Sequence, residues 1–165
     1  MAARAGLGIA RRELEMLYPS MEQFTTPVDE GYAALVGHAA YAFTYLEWQI
    51  VSIAQKIWPG FIFKVSKMSA GDVAKKFANK LTAFRGDGAL KADLERIAAE
   101  FKLLVVDRNH LLHAHPATIA GQQRLHYWSP DLVFSWEPET LAAFIRRVQA
   151  ISREAGSLYY DSRMP

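Results

Sequence analysis

The segment LKADLERIAAEFKLLVVDRNHLLHA, residues 90–114, constrains the fold more than any other part of the chain. Leu90, Leu94, Ile97, Phe101 and Leu104 step by four, three, four and three residues, the spacing of one helix face turned to a core. The same steps continue to Arg108, Leu111 and His115. A guanidinium therefore falls on a face that is apolar up to that point. It must be buried with a partner or turned toward something anionic, because an unpaired buried charge is costly. Pro116 disfavours helical geometry at His115 and predicts a helix end near His113 or Ala114.

The other segments supply partners for this helix. Thr26 can cap, Pro27 suits a first helical position and Asp29 has capping-box spacing from Thr26, so a long helix is expected from there to the Trp58-Pro59-Gly60 stop. Val36, Ala39, Phe43, Leu46, Ile50, Ala54 and Ile57 form its inward face. FIFKVSKMS alternates like a short strand-like connection. Ser69 and Asp72 then have capping-box spacing ahead of a second helix, AGDVAKKFANKLTAF, and RGDGA reads as a turn. After Pro116, QRLHYWSPDLVFSW alternates around Ser-Pro-Asp and predicts a small hairpin. EPETLAAFIRRVQAISREAGSLYY closes the chain as a helix with Pro138 near its start and Leu141, Phe144, Ile145, Val148 and Ile151 inward. The expected fold is all-α: an up-and-down bundle of about four helices, with a β-hairpin before the last. Residues 26–165 form that domain, and residues 1–25 are an extension that can be helical up to Tyr18, before Pro19.

Composition narrows the function classes. With 165 residues, 51% of them hydrophobic, the chain can bury one core. Nineteen Lys and Arg against 17 Asp and Glu leave a formal charge of +2, so attraction to a polyanion must come from a local cluster. The absence of cysteine removes disulfides, thiolate metal sites and cysteine nucleophiles. MAARAGLGIARRELEML has no apolar run of signal-peptide length, and no stretch approaches the ~18 apolar residues of a membrane span. A soluble cytoplasmic protein without membrane association is expected.

Three of the five histidines lie in RNHLLHAHP, residues 108–116. Taken singly, a histidine near a helix C-terminus favours the dipole and an asparagine there caps. A structural pairing of Arg108 with Glu47, Glu100 or Asp107 is also open. His110 and His113 are three apart and His113-Ala-His115 has a chelating spacing, but no carboxylate or thiolate completes the set and Arg108 repels a cation, so no metal or other cofactor is expected. A third reading is phosphodiester cleavage without metal. Imidazole exchanges protons near neutral pH, and guanidinium holds the charge developing on phosphorus. Residues five apart on a helix point to different sides, so a working Arg108–His113 pair requires either a loosened helix end or a second copy of the chain.

RNHLLH, with Arg108, polar Asn109 and His113, resembles the Arg-polar-x-x-x-His motif of HEPN domains, and its place late in the third main helix of a bundle is similar too. The resemblance implies a metal-independent endoribonuclease of the toxin–antitoxin or antiphage type, a homodimer whose two motifs meet in a cleft. By the same resemblance Arg108 stabilises the scissile phosphate, His113 is general acid/base, and Asn109 positions the arginine, histidine or RNA. In one toxin branch a tyrosine two residues past the histidine is modified by a partner nucleotidyltransferase; His115 stands there in this chain and is a candidate second phosphate or proton-transfer group. Glu47 is a candidate for orienting Arg108. The resemblance also implies a cognate antitoxin or defence-system protein as partner. Single-stranded RNA is held by stacking and by phosphate neutralisation, which makes Arg124, Tyr127 and Trp128 on the hairpin and Lys75, Lys76 and Lys80 on the second helix candidate contacts. The alternatives are a catalytically silent HEPN bundle binding nucleotide or RNA, and a helical protein-interaction module in which Trp48, Trp58 and Trp128 pack.

Overall fold

The structure, a computed structural model, describes residues 28–165. The elements are α1 (Glu30–Ile57), a 3-10 helix (Ile62–Lys67), α2 (Ala70–Leu81), α3 (Gly88–His113), β1 (His115–Ile119), β2 (Gln122–Ser129), β3 (Leu132–Trp136) and α4 (Pro138–Tyr159). The helix expected before Pro19 lies outside the described residues, as do Thr26 and Pro27.

Asp29 is the N-cap of α1, not the third member of a box opened by Thr26. Its Oδ1 accepts a 2.8 Å hydrogen bond from the Tyr32 N–H. Asp caps as well as Thr, and its charge suits the positive end of the helix. The expected capping box on α2 is present, with Ser69 and Asp72 exchanging backbone hydrogen bonds. The segment expected to be strand-like is a 3-10 helix. Gly60, at φ +90°, turns the chain after α1, and local bonds from Lys64 N–H to Phe61 O and from Met68 N–H to Val65 O then satisfy the backbone.

The seam of α3 is buried as expected: Leu90, Leu94, Ile97, Phe101 and Leu104 are inaccessible to solvent. Phe101 stacks on Phe43 of α1 at 5.8 Å between centroids. α1 packs most extensively on α4 and α2 on α3, and α3 also packs on α4. Ion pairs Arg147–Asp107 and Arg96–Glu154, each 2.6 Å, cross from α4 to α3 at the surface. The architecture is mainly α. No described helix is long and apolar enough to cross a membrane.

The hairpin expectation needs a correction. β2 and β3 pair around Pro130-Asp131 as expected, but His115–Ile119 adds a third strand, giving the antiparallel order β1-β2-β3. Pro116 argues against a strand, yet β1 is an edge strand, where a missing N–H is tolerated. His115 is accordingly a strand residue and leaves the helix seam that the sequence steps extend to it. The β1–β2 turn places Ala120 at φ +48° and Gly121 at φ +79°, the left-handed pair of a two-residue hairpin turn that favours Asn-Gly. Ala120→Asn is expected to stabilise the protein by about 1 kcal/mol, since alanine is strained in that region. A denaturant midpoint that falls on substitution would contradict this account of the turn.

One hydroxyl ties the sheet to the helices. Tyr32 Oη donates to Trp136 O at 2.7 Å and accepts from Leu125 N–H at 2.9 Å. Leu125 and Trp136 are cross-strand partners, so Tyr32 bridges β2 and β3 from α1. Trp136 in turn packs edge-on against Phe144 of α4 at 5.9 Å. Tyr32→Phe leaves both backbone groups short of a partner and is expected to cost about 1–3 kcal/mol, read by chemical denaturation.

Candidate functional site at the end of α3

Arg108 leaves α3 on the core side, but α1 does not close over it completely. The guanidinium carbon lies 5.6 Å from the centroid of the Phe43 ring, a cation–π distance. Nη1 donates to Asn109 Oδ1 at 3.1 Å. Asn109 thus fixes the plane of the neighbouring arginine. Phe43 was legible in the sequence only as a core residue; its second role as the platform for Arg108 depends on where α1 and α3 cross.

Glu47, one turn beyond Phe43 on α1, lies within electrostatic reach of Arg108. Burial pushes its carboxyl above the usual glutamate range, and the attraction of Arg108 offsets this only in part. Among the described residues no carboxylate forms an ion pair with Arg108. Asp107 is committed to Arg147 on α4. Arg108 is therefore half-buried, hydrogen-bonded to Asn109 and without an ion-paired carboxylate among the described residues.

The Glu47 environment has a pH signature. The folded chain holds the Glu47 proton to higher pH than the unfolded chain does, so stability falls as pH rises from the ordinary glutamate range through the raised value. Glu47→Gln mimics the neutral form. It is expected to gain at most about 1 kcal/mol at neutral pH, discounted for partial exposure, and nothing below about pH 4. Matched thermal melts at the two pH values test this; equal or lower stability of the variant at neutral pH would place the carboxylate in a favourable pair.

His113 is the last residue of α3 and is exposed. The helix stays regular to that point, so it does not loosen to bring His113 beside Arg108. At about 100° per residue the two side chains project roughly 140° apart. Val106, Leu112 and His113 are exposed around half-buried Asn109, with Val106 and Leu112 at 46% and 51% accessibility. Two exposed apolar side chains thus flank Asn109.

The other sequence candidates separate from this cluster. His110 packs on the sheet, its ring 4.4 Å from Tyr127 and 6.0 Å from Phe134, which half-buries Tyr127. His115 is exposed on β1 and meets its cross-strand partner His126 at 5.5 Å, while His126 Nδ1 hydrogen-bonds Ser135 Oγ at 3.0 Å. Arg124 is occupied structurally. Its side chain is 10% exposed, pairs with Glu137 at 3.0 Å, bonds Gln122 and the Gln123 carbonyl, and lies over Tyr32. It presents no free guanidinium. Trp128 is exposed near the β2–β3 turn. Lys75, Lys76 and Lys80 are exposed on α2, which is too short to reach past the N-terminal half of α3, away from the motif. Among the described residues no three His, Asp or Glu side chains converge as a metal-ligand set.

Comparison with protein-family models, with curated proteins and with solved structures finds no match for this chain.

Proposed function

We propose that the chain is a HEPN-type, metal-independent endoribonuclease of the toxin or antiphage kind, a cytoplasmic homodimer cutting single-stranded RNA between two copies of the Arg108–His113 motif. The observation that carries this reading is the presentation of Arg108. A guanidinium stacked on Phe43, oriented by Asn109 and lacking an ion-paired carboxylate among the described residues is arranged to receive a phosphate.

The chemistry needs one proton acceptor and one donor. Imidazole of His113 takes the proton of the 2′-hydroxyl as its oxygen attacks phosphorus. The bond from phosphorus to the 5′-oxygen breaks, that oxygen takes a proton from solvent water, and a 2′,3′-cyclic phosphate and a 5′-hydroxyl result. Arg108 stabilises the extra negative charge between those two events. A regular helix keeps the two side chains apart within one copy, so the arginine of one copy works with the histidine of another. The exposed apolar side chains of Val106 and Leu112 suit the contact between copies.

Mixing two inactive variants tests the shared site. Arg108→Ala and His113→Ala, refolded together, form mixed dimers that each retain one intact arginine–histidine pairing across the axis. Activity is expected to return to up to about a quarter of wild type by random pairing of a symmetric dimer. No return of activity, with mixed dimers demonstrated, would place both groups in one copy and overturn the dimeric reading.

A further inference from the structure

On the side of α1 opposite Glu47 runs a second surface that the motif does not use. His38, Tyr41, Tyr45 and Trp48 follow one another at three, four and three residues, a single helical stripe about 15 Å long. It is not core. Tyr41, Tyr45 and Trp48 are 75%, 57% and 49% exposed, a concentration of aromatic surface in water that marks a binding face.

The stripe borders a cleft of about 770 Å³ between α1 and α4, lined by Tyr45, Trp48, Gln49, Arg153, Tyr159 and Tyr160 among others. A smaller hollow alongside it reaches His38, Tyr41 and Gln149 and shares Tyr45 and Arg153. Neither lining contains a carboxylate. Arg153 is exposed and forms no ion pair among the described residues. Lys56 adds positive charge behind the cleft, its Nζ 4.3 Å from the Tyr159 ring centroid and hydrogen-bonded to Tyr159 O. Gln49 Oε1 is buried in the wall without a hydrogen-bond partner among the described residues.

Flat rings in series beside a guanidinium that, among the described residues, has no ion pair, in a lining without a carboxylate, are the recognition chemistry of a single strand of nucleic acid, whose bases stack and whose phosphates need neutralising. A sugar-binding face also uses aromatic platforms but takes the hydroxyls with carboxylates, which are missing here. A cationic peptide would meet Arg153. We infer that the α1–α4 cleft is a binding track for two or three nucleotides of a single strand, separated from Arg108 by the thickness of α1. This goes beyond the ribonuclease reading, since it concerns a different face and is measured without cleavage.

The test uses the full chain carrying His113→Ala, so that the probe stays intact, and follows fluorescence anisotropy of a labelled 12-nucleotide oligouridine. Oligothymidine and a duplex of the same length serve as the other arms. Trp48→Ala and Tyr45→Ala are each expected to weaken single-strand binding about tenfold or more, and Arg153→Gln to lower the salt dependence by about one phosphate contact. Duplex should bind much more weakly than either single strand. A preference for oligouridine over oligothymidine would identify RNA as the source of the strand, and equal binding would identify single strands of both kinds; both results support the track. Absence of binding by a folded protein, or binding indifferent to Tyr45, Trp48 and Arg153, would overturn it. Failure of cleavage with this binding intact counts against the ribonuclease reading alone, and cleavage with this binding absent counts against the track alone.

Discussion

Arg108→Ala is expected to lower RNA cleavage at least about a hundredfold, the usual consequence of removing a preorganised group that stabilises transition-state charge. The fold should survive. The side chain contributes a cation–π contact with Phe43, one hydrogen bond to Asn109 and a partial offset to the burial of the half-exposed Glu47 carboxyl, together about 1–2 kcal/mol. The rival outcome is sharply different. Were Arg108 a structural partner of a buried carboxylate, its removal would strand that carboxylate and cost about 3–5 kcal/mol. Thermal melting beside the cleavage assay separates the two, because the catalytic role predicts lost activity at nearly constant stability and the structural role predicts both losses together. His113→Ala should mimic the first pattern, since the residue is exposed at the end of α3.

Phe43→Ala has the largest expected effect on stability. The ring is 2% exposed, stacks on Phe101 of α3 and forms the surface beneath Arg108. Truncation removes its transfer free energy and leaves a cavity between α1 and α3, for a loss of about 3–5 kcal/mol. A chain of this size retains little margin after such a loss, because domains are stable by only about 5–15 kcal/mol. Phe43→Leu keeps most of the volume and should cost far less, yet it removes the aromatic face below the guanidinium. Cleavage should therefore drop in Phe43→Leu while the denaturation midpoint moves modestly. Full activity in that variant would show that Arg108 does not depend on its platform.

Much of this fold was legible because its signals are local and repeated. The three-four steps from Leu90 to Leu104, the Ser69–Asp72 box and the proline and glycine stops all report helix positions through short-range physics. The third strand was hidden because its support is tertiary: β1 exists by pairing with β2, and Pro116 is harmless only because that strand is an edge. The start of α1 was misplaced for a related reason, as both Thr26 and Asp29 are good caps and spacing alone does not choose between them.

The site divides the same way. Arg108 on an apolar seam and Asn109 beside it were readable from spacing. The Phe43 platform and the raised carboxyl of Glu47 were not, since both depend on the crossing of α1 over α3. Arg124 looked like a free cation in a basic, aromatic hairpin, but Glu137 follows it across the sheet and takes the charge. The stripe from His38 to Trp48 carried a visible three-four-three spacing on the face opposite the core of α1. Its exposure becomes evident only when α4 is seen to leave it uncovered.

The most direct measurement is a gel assay of the purified protein on mixed single-stranded RNA in EDTA, beside His113→Ala. Cleavage by the wild type alone, with products ending in cyclic phosphate, is the predicted result. Equal cleavage by both proteins, or wild-type cleavage that EDTA abolishes, would contradict a metal-independent site built on Arg108 and His113.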